Sequence, residues 1–261
     1  EIHSGDWSSD VCSSDLPAQR VLILTNQRLV KPVRDQLPEL PAGAVMGEPC
    51  KRDTAPCIGL AASWMVQNDP EATMIVMPAD HVIRPDISFQ QAVDQAARLV
   101  EDDPERIVTF GIQPTYAAES FGYIERGRPL PNSGPAPAYD VRRFCEKPTA
   151  DAAQHYVKSG EYYWNSGIFA WKAQTILDAL EQFAPDIFAH VSTIGETIGT
   201  PEFEKTLQHE FAAIDGKSID YAVMEHYRNV AVIEAPYQWD DLGSWRALAR
   251  LHGTDDDANT R

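Results

Sequence analysis

Several short stretches place side chains able to handle phosphate, sugar hydroxyls or a cation at the ends of apolar runs. MIVMPADHVI, Met74 to Ile83, reads as a buried strand that ends in Asp80 and His81. That puts a carboxylate at the carboxyl end of a parallel strand, where open α/β sheets bind their ligands. A hard oxygen donor there suits Mg²⁺, which holds one or two protein carboxylates and otherwise takes water and phosphate oxygens. A solvated loop aspartate is the plain alternative. Far downstream, YQWDDLGSW, Tyr237 to Trp245, supplies Asp240 and Asp241 ahead of a glycine turn. Two carboxylates from distant strands converging on one cation would be expected of metal-assisted nucleotidyl transfer.

Three further stretches offer polar groups in ligand-sized settings. In EPCKRDTAPCIGLAA, Glu48 to Ala62, a turn carrying Lys51, Arg52, Asp53 and Thr54 runs into a predicted helix N-terminus. Free N–H groups and the positive end of the helix dipole suit a phosphate or a base edge. On spacing alone, helix capping by Asp53 or Thr54 is the stronger reading. FCEKPT, Phe144 to Thr149, places Glu146 and Lys147 side by side at a strand end, one able to accept from sugar hydroxyls and the other able to neutralise a phosphate. Exposed Glu-Lys is also an ordinary surface pair. YYWNSGIFAW, Tyr162 to Trp171, embeds an expected Asn165-Ser166-Gly167 turn among aromatics, as a sugar pocket would, although an aromatic core hairpin reads the same way. FGYIERG, Phe121 to Gly127, adds Gly122, where backbone can approach a ligand closely.

The elements that would position these groups alternate. Val21 to Thr25 is a short apolar run followed by a predicted helix over 29–37. A helix is expected over Ala55 to Gln67 with Pro56 in its first turn, a strand over Met74 to Met77, a helix over Phe89 to Glu101 and a strand over Ile107 to Phe110. After a Gly- and Pro-rich passage from Gly111 to Pro137 come a strand over Tyr139 to Cys145, a helix over Ala150 to Ser159 and a strand over Gly167 to Trp171. Helices around Thr175 to Glu181, Glu202 to His209 and Ser218 to His226 precede a strand over Val230 to Glu234. This pattern predicts an α/β fold, a Rossmann-like mixed but mainly parallel sheet with helices on both faces. No linker divides it, so one domain is expected over 17–251. The leader 1–16, with its near-duplicated Ser-Ser-Asp, reads as non-native, like translated sequencing adapter, and 252–261 as a polar tail.

Bulk properties narrow the function. With 22 Lys and Arg against 39 Asp and Glu, a formal charge of −17 excludes the basic stripe that nucleic acid calls for. A small anionic substrate is still allowed, because exposed charges beyond about 10 Å are screened. The 4 cysteines show no CxxC pairing, which points to neither a zinc site nor a disulfide framework. No stretch approaches the roughly 18 apolar residues of a membrane span. A soluble cytoplasmic protein with no membrane partner is expected, with homo-oligomerisation left open. No G-x-G-x-x-G follows a predicted strand, which speaks against a dehydrogenase.

The order EPxxRDTAP, PADH, FGIxPT, FGYI, F-x-EKP, WNSGIF, SIDYAVME and WDDLGSW resembles the mannose-1-phosphate guanylyltransferases, over about Arg20 to Leu251. That resemblance implies a nucleotide-diphospho-sugar transferase fold, GTP and mannose 1-phosphate as substrates, and Mg²⁺ on Asp80 and Asp241. It puts Arg52, Asp53 and Thr54 on the guanine side, and Gly122, Glu146, Lys147 and Asn165 on the sugar-phosphate side, with Lys147 among the catalytic groups. The family also opens with a strand and a G-G-x-G-x-R-L-x-P phosphate loop, and nothing in Glu1 to Arg20 matches it. A fragment truncated at both ends, without the first strand, the phosphate loop and a later lysine, and inactive as it stands, is therefore expected. A relative of other base or sugar specificity, or a non-catalytic binding homologue, is the alternative.

Overall fold

The computed structural model describes residues 17–131 and 133–242. The leader 1–16, the tail 252–261 and the Gly243 to Trp245 part of the last motif lie outside the described residues. In chain order the elements are β1 (Ile23–Asn26), α1 (Val30–Gln36), β2 (Val45–Glu48), α2 (Thr54–Asn68), β3 (Thr73–Val76), β4 (His81–Arg84), α3 (Asp86–Asp102) and β5 (Ile107–Ile112). They continue with β6 (Tyr123–Pro129), β7 (Ala138–Cys145), α4 (Ala150–Ser159), β8 (Tyr162–Lys172), α5 (Ala173–Phe183), α6 (Pro185–Gly195), α7 (Phe203–Ala213), β9 (Val230–Glu234) and β10 (Gln238–Asp241). Local chemistry explains the clearest boundaries. Thr149 caps α4 by accepting the Ala152 N–H, and Gly160 stops it at φ 69°, a left-handed turn that glycine adopts without strain.

The described residues form two compact units, one of residues 17–72 with Lys172–Tyr227, the other of Thr73–Trp171 with residues 228–242. In the first, β1 and β2 pair in parallel with Ile23 opposite Val45 and Asn26 opposite Glu48. Helix α2 packs on α5 and α6. Gly59 permits that approach, because a Cβ there would meet Leu180 at 3.0 Å and Val191 at 3.1 Å.

The second unit is built on a six-stranded sheet of order β3-β8-β5-β9-β7-β6, with β6 also pairing to β8. All six residues of β5 are buried, as in strands covered on both faces. Val108, Phe110 and Ile112 share a core with Phe89, Ala96 and Val100 of α3 and Ala153 of α4. The α/β fold is as expected, and its sheet is mixed. The parallel share is smaller than expected: β5–β9 is parallel, while β5–β8, β6–β7, β6–β8 and β7–β9 are antiparallel. Two of these antiparallel pairs are made by β6, within the Gly- and Pro-rich passage, which returns to β7 by the short connection that antiparallel pairing allows.

Other differences are local. The expected Asn165-Ser166-Gly167 turn is no turn; β8 runs through it as one strand from Tyr162 to Lys172. Gly167 at φ 71° and a register shift opposite Thr109 and Gly111 mark a bulge that absorbs the irregularity. The helix expected over Ser218 to His226 shortens to a five-residue π-helical turn, Asp220–Met224. Helix α6 and the four-residue strands β4 and β10 were not expected; such short strands give little periodicity to read.

Candidate active site

The six-stranded unit brings three of the predicted site residues, Gly122, Glu146 and Asn165, into one register. Strand β6 pairs on one side with β7, Tyr123 opposite Cys145, and on the other with β8, Tyr123 opposite Trp164. One step before Tyr123, Gly122 therefore falls between Glu146 and Asn165. The Asn165 N–H donates to the Gly122 carbonyl at 2.8 Å. A Cβ placed on Gly122 would collide with Glu146 Oε2 and lie 3.5 Å from the Asn165 Cβ. Glycine is thus the residue that lets the Glu146 carboxylate lie over the backbone. Asn165 Oδ1 accepts the Gly167 N–H at 3.2 Å, tying this polar corner to the bulge.

Asp80 and Asp241 lie on a second frame of the same unit. β4 and β10 pair antiparallel with His81 opposite Asp241 and Ile83 opposite Trp239, and the Leu242 N–H donates to the Asp80 carbonyl at 3.2 Å. Asp241 therefore shares a face of the ribbon with His81, while Asp240, opposite Val82, points to the other face. Burial pushes the His81 imidazole below its usual pKa, and the charges of Asp80 and Asp241 both oppose that shift. Both carboxylates thus lie within electrostatic reach of one ring. The Trp239 indole N–H donates to His81 Nδ1 at 3.1 Å. Among the described residues, no group of three or more His, Cys, Asp or Glu side chains is arranged as a metal cage.

Arg52, Asp53 and Thr54 lie in the other compact unit. Arg52 Nε donates to the Phe211 carbonyl at 3.3 Å and its Nη2 to that of Ala212, so the guanidinium caps the end of α7. Thr54 Oγ1 accepts the Ile219 N–H at 2.8 Å. Asp53 stands at the N-cap of α2, yet its side chain makes no capping hydrogen bond. The capping reading favoured on spacing alone does not describe this helix start.

Among the described residues, the non-glycine positions with positive φ are Asp53 at 58° and Lys147 at 44°. Such conformations cost about 1–3 kcal/mol and concentrate at binding sites, and both residues were singled out from the sequence for that role. Glu48, the first residue of the motif that holds Asp53, has a buried Oε1 with no hydrogen-bond partner among the described residues. Burial raises its carboxyl pKa and a hydrogen bond with the Cys57 thiol pulls it back, while burial, followed by the Glu48 charge, pushes the Cys57 thiol up. Its place at the carboxyl end of β2 was the available signal. Tyr116, half exposed, sets its ring edge-on to Trp164 at 4.9 Å beside this corner, and no motif had flagged it.

The nucleotidyl transferase family model matches residues 11–257. The chain is 38% identical over 251 residues to mannose-1-phosphate guanylyltransferase RfbM of Salmonella typhimurium, a match covering 94% of this chain and 51% of that protein. It thus spans about half the length of the curated relatives it matches. A solved structure from Thermus thermophilus, described as a mannose-1-phosphate geranyltransferase, aligns with TM-score 0.78 at 26% identity over 92% of this chain and 66% of that one. Another, described as mannose-6-phosphate isomerase from Helicobacter pylori, aligns with TM-score 0.69 at 30% identity over 84% of this chain and 85% of that one.

Proposed function

Because the chain belongs to the nucleotidyl transferase family, we propose that the protein joins GTP to α-D-mannose 1-phosphate, forming GDP-mannose and releasing diphosphate. The observation that carries this reading is the polar corner at Gly122, where a carboxylate and an amide from two strands meet over bare backbone. A carboxylate accepts from sugar hydroxyls, an amide can both donate and accept, and the nearby Lys147 can neutralise a sugar phosphate. The name of the Salmonella relative is consistent with that substrate pair.

The sugar phosphate oxygen would attack the α-phosphorus of the nucleotide, the α–β bridging bond would break, and diphosphate would leave. This needs positioning and charge neutralisation rather than a covalent enzyme intermediate. The donor set fits Mg²⁺: two hard carboxylates, Asp80 and Asp241, at neighbouring positions of one ribbon, with the remaining positions left to water and phosphate. When bound there, the cation supplies Lewis-acid neutralisation of phosphoryl oxygens. The side chains of Glu146, Asn165 and Lys147 hold and orient the sugar phosphate. Cytoplasmic activity accords with a chain in which, among the described residues, no helix is long and apolar enough to cross a membrane.

The test is product formation by the full-length protein with Mg²⁺ and every pairing of GTP, ATP, UTP and CTP with mannose, glucose and galactose 1-phosphates. GDP-mannose as the dominant product is expected. A different dominant base or sugar would overturn the assignment of substrates, and turnover of mannose 6-phosphate without nucleotidyl transfer would overturn the reaction class.

A further inference from the structure

The β4–β10 ribbon holds a second feature besides its two carboxylates. In antiparallel pairing, residues two apart on facing strands lie diagonally on one face, within reach of aromatic side chains. His81 thus has Asp241 directly across and Trp239 on the diagonal. The two rings sit edge to face with centroids 5.1 Å apart. The indole N–H donates to His81 Nδ1 at 3.1 Å.

An indole nitrogen can only donate, so Nδ1 must be the bare acceptor nitrogen and the ring proton must sit on Nε2. Among the described residues, Nε2 makes no hydrogen bond. Trp239 is itself held in place: its ring meets Phe121 at 5.4 Å, Phe121 meets Trp164 at 5.1 Å, and Trp164 meets Tyr116 at 4.9 Å. This chain of rings fixes the indole, and the indole fixes one tautomer of one histidine beside two carboxylates.

We propose that His81 is a ligand-contacting residue whose Nε2–H donates to a phosphoryl oxygen arriving at Asp80 and Asp241, and that Trp239 is the positioning residue that keeps that donor in place. The ligand class follows from the surroundings. Two carboxylates repel an incoming oxyanion, and a fixed donor on the neighbouring ring offers it a hydrogen bond of the stronger, charge-assisted kind. The inference rests on the phosphoryl-transfer reading above, yet it does not depend on which base or sugar is used.

The experiment uses the full-length protein, with inorganic diphosphate and Mg²⁺ as the probe. Long-range ¹H–¹⁵N correlation of the imidazole nitrogens reads the tautomer directly. The expected result is a dominant Nε2–H form of His81 in the unmodified protein and a mixture of tautomers in Trp239→Phe. Diphosphate affinity should fall at least about tenfold in His81→Ala, the lower bound for one hydrogen bond to a charged group. His81→Gln, whose amide nitrogen reaches close to the imidazole Nε2 position, should restore most of it. An Nδ1–H form in the unmodified protein, or a tautomer unmoved in Trp239→Phe, overturns the role of Trp239. Equal diphosphate affinity in His81→Ala overturns the contact with His81, and both readouts stand even if GDP-mannose is not the product.

Discussion

Replacing Gly122 with alanine isolates the polar corner from the rest of the fold. The added methyl would fall on Glu146 Oε2, inside the 3.4–4 Å of ordinary contact, while its next neighbour, the Asn165 Cβ, lies at an acceptable 3.5 Å. The clash is with the far end of a flexible side chain, so the carboxylate can swing aside by about 1 Å and the strands need not part. Stability should therefore change by no more than about 1 kcal/mol. The ligand loses more: a displaced carboxylate forfeits a hydrogen bond to a charged group, about 1.5–3 kcal/mol, which is roughly a 10- to 150-fold weaker sugar phosphate. Thermal unfolding and calorimetric titration with mannose 1-phosphate measure the two effects. Gly43→Ala is the control, since nothing lies within 4 Å of its added Cβ. A folded Gly122→Ala protein that binds mannose 1-phosphate as well as the unmodified one would refute the placement of the sugar phosphate at this corner.

Asp241→Asn should lower turnover at least about a hundredfold at saturating Mg²⁺ with an unchanged melting temperature, because cation stabilisation of the transition state amounts to several kcal/mol; undiminished turnover at limiting Mg²⁺ removes Asp241 from the cation site. Asn165→Ala should raise the KM for mannose 1-phosphate more than that for GTP, measured by varying each substrate in turn, and an equal rise in both would assign Asn165 to holding the β8 bulge. Gln95→Leu should destabilise by about 2–5 kcal/mol in denaturant unfolding, since buried Gln95 donates to the Ala136 carbonyl at 2.8 Å and accepts its N–H at 3.0 Å, and both backbone groups would be left unpaired.

Elements with strong local signals could be read from the chain alone. The predicted helix over Ala150 to Ser159 has the bounds of α4, and Val230 to Glu234 those of β9, because a threonine cap, a left-handed glycine and an unbroken apolar run each act over a few residues. What escaped was decided over longer range. The Asn165-Ser166-Gly167 stretch carries turn residues, but pairing to β5 and β6 on its two sides holds it as a strand, and the turn tendency survives only as a bulge. Glu48 gave no sign of an unpaired oxygen, because that depends on which side chains surround it after folding. The hydrogen bond between Trp239 and His81 likewise depends on a register between residues 158 apart in the chain.

Register also explains how motifs scattered along the chain come to share a site. Strand β6 pairs to β7 and to β8 at the same residue, Tyr123, so its preceding glycine is placed between Glu146 and Asn165 by two independent ladders. A slip of one residue in either ladder would turn that strand's side chains to the other face. The same holds for the ribbon, where alternation puts Asp241, and not Asp240, beside His81. The positions most exposed to such an error are those that no side chain can correct: Gly122, which must stay bare, and Lys147, which at φ 44° is held in a conformation unfavourable to it. Strain persists only where its surroundings over-determine it. Lys147 directly follows Glu146, at the end of the β6–β7 ladder, so the pairing that sets Glu146 over Gly122 also supplies the constraint that holds the lysine in place.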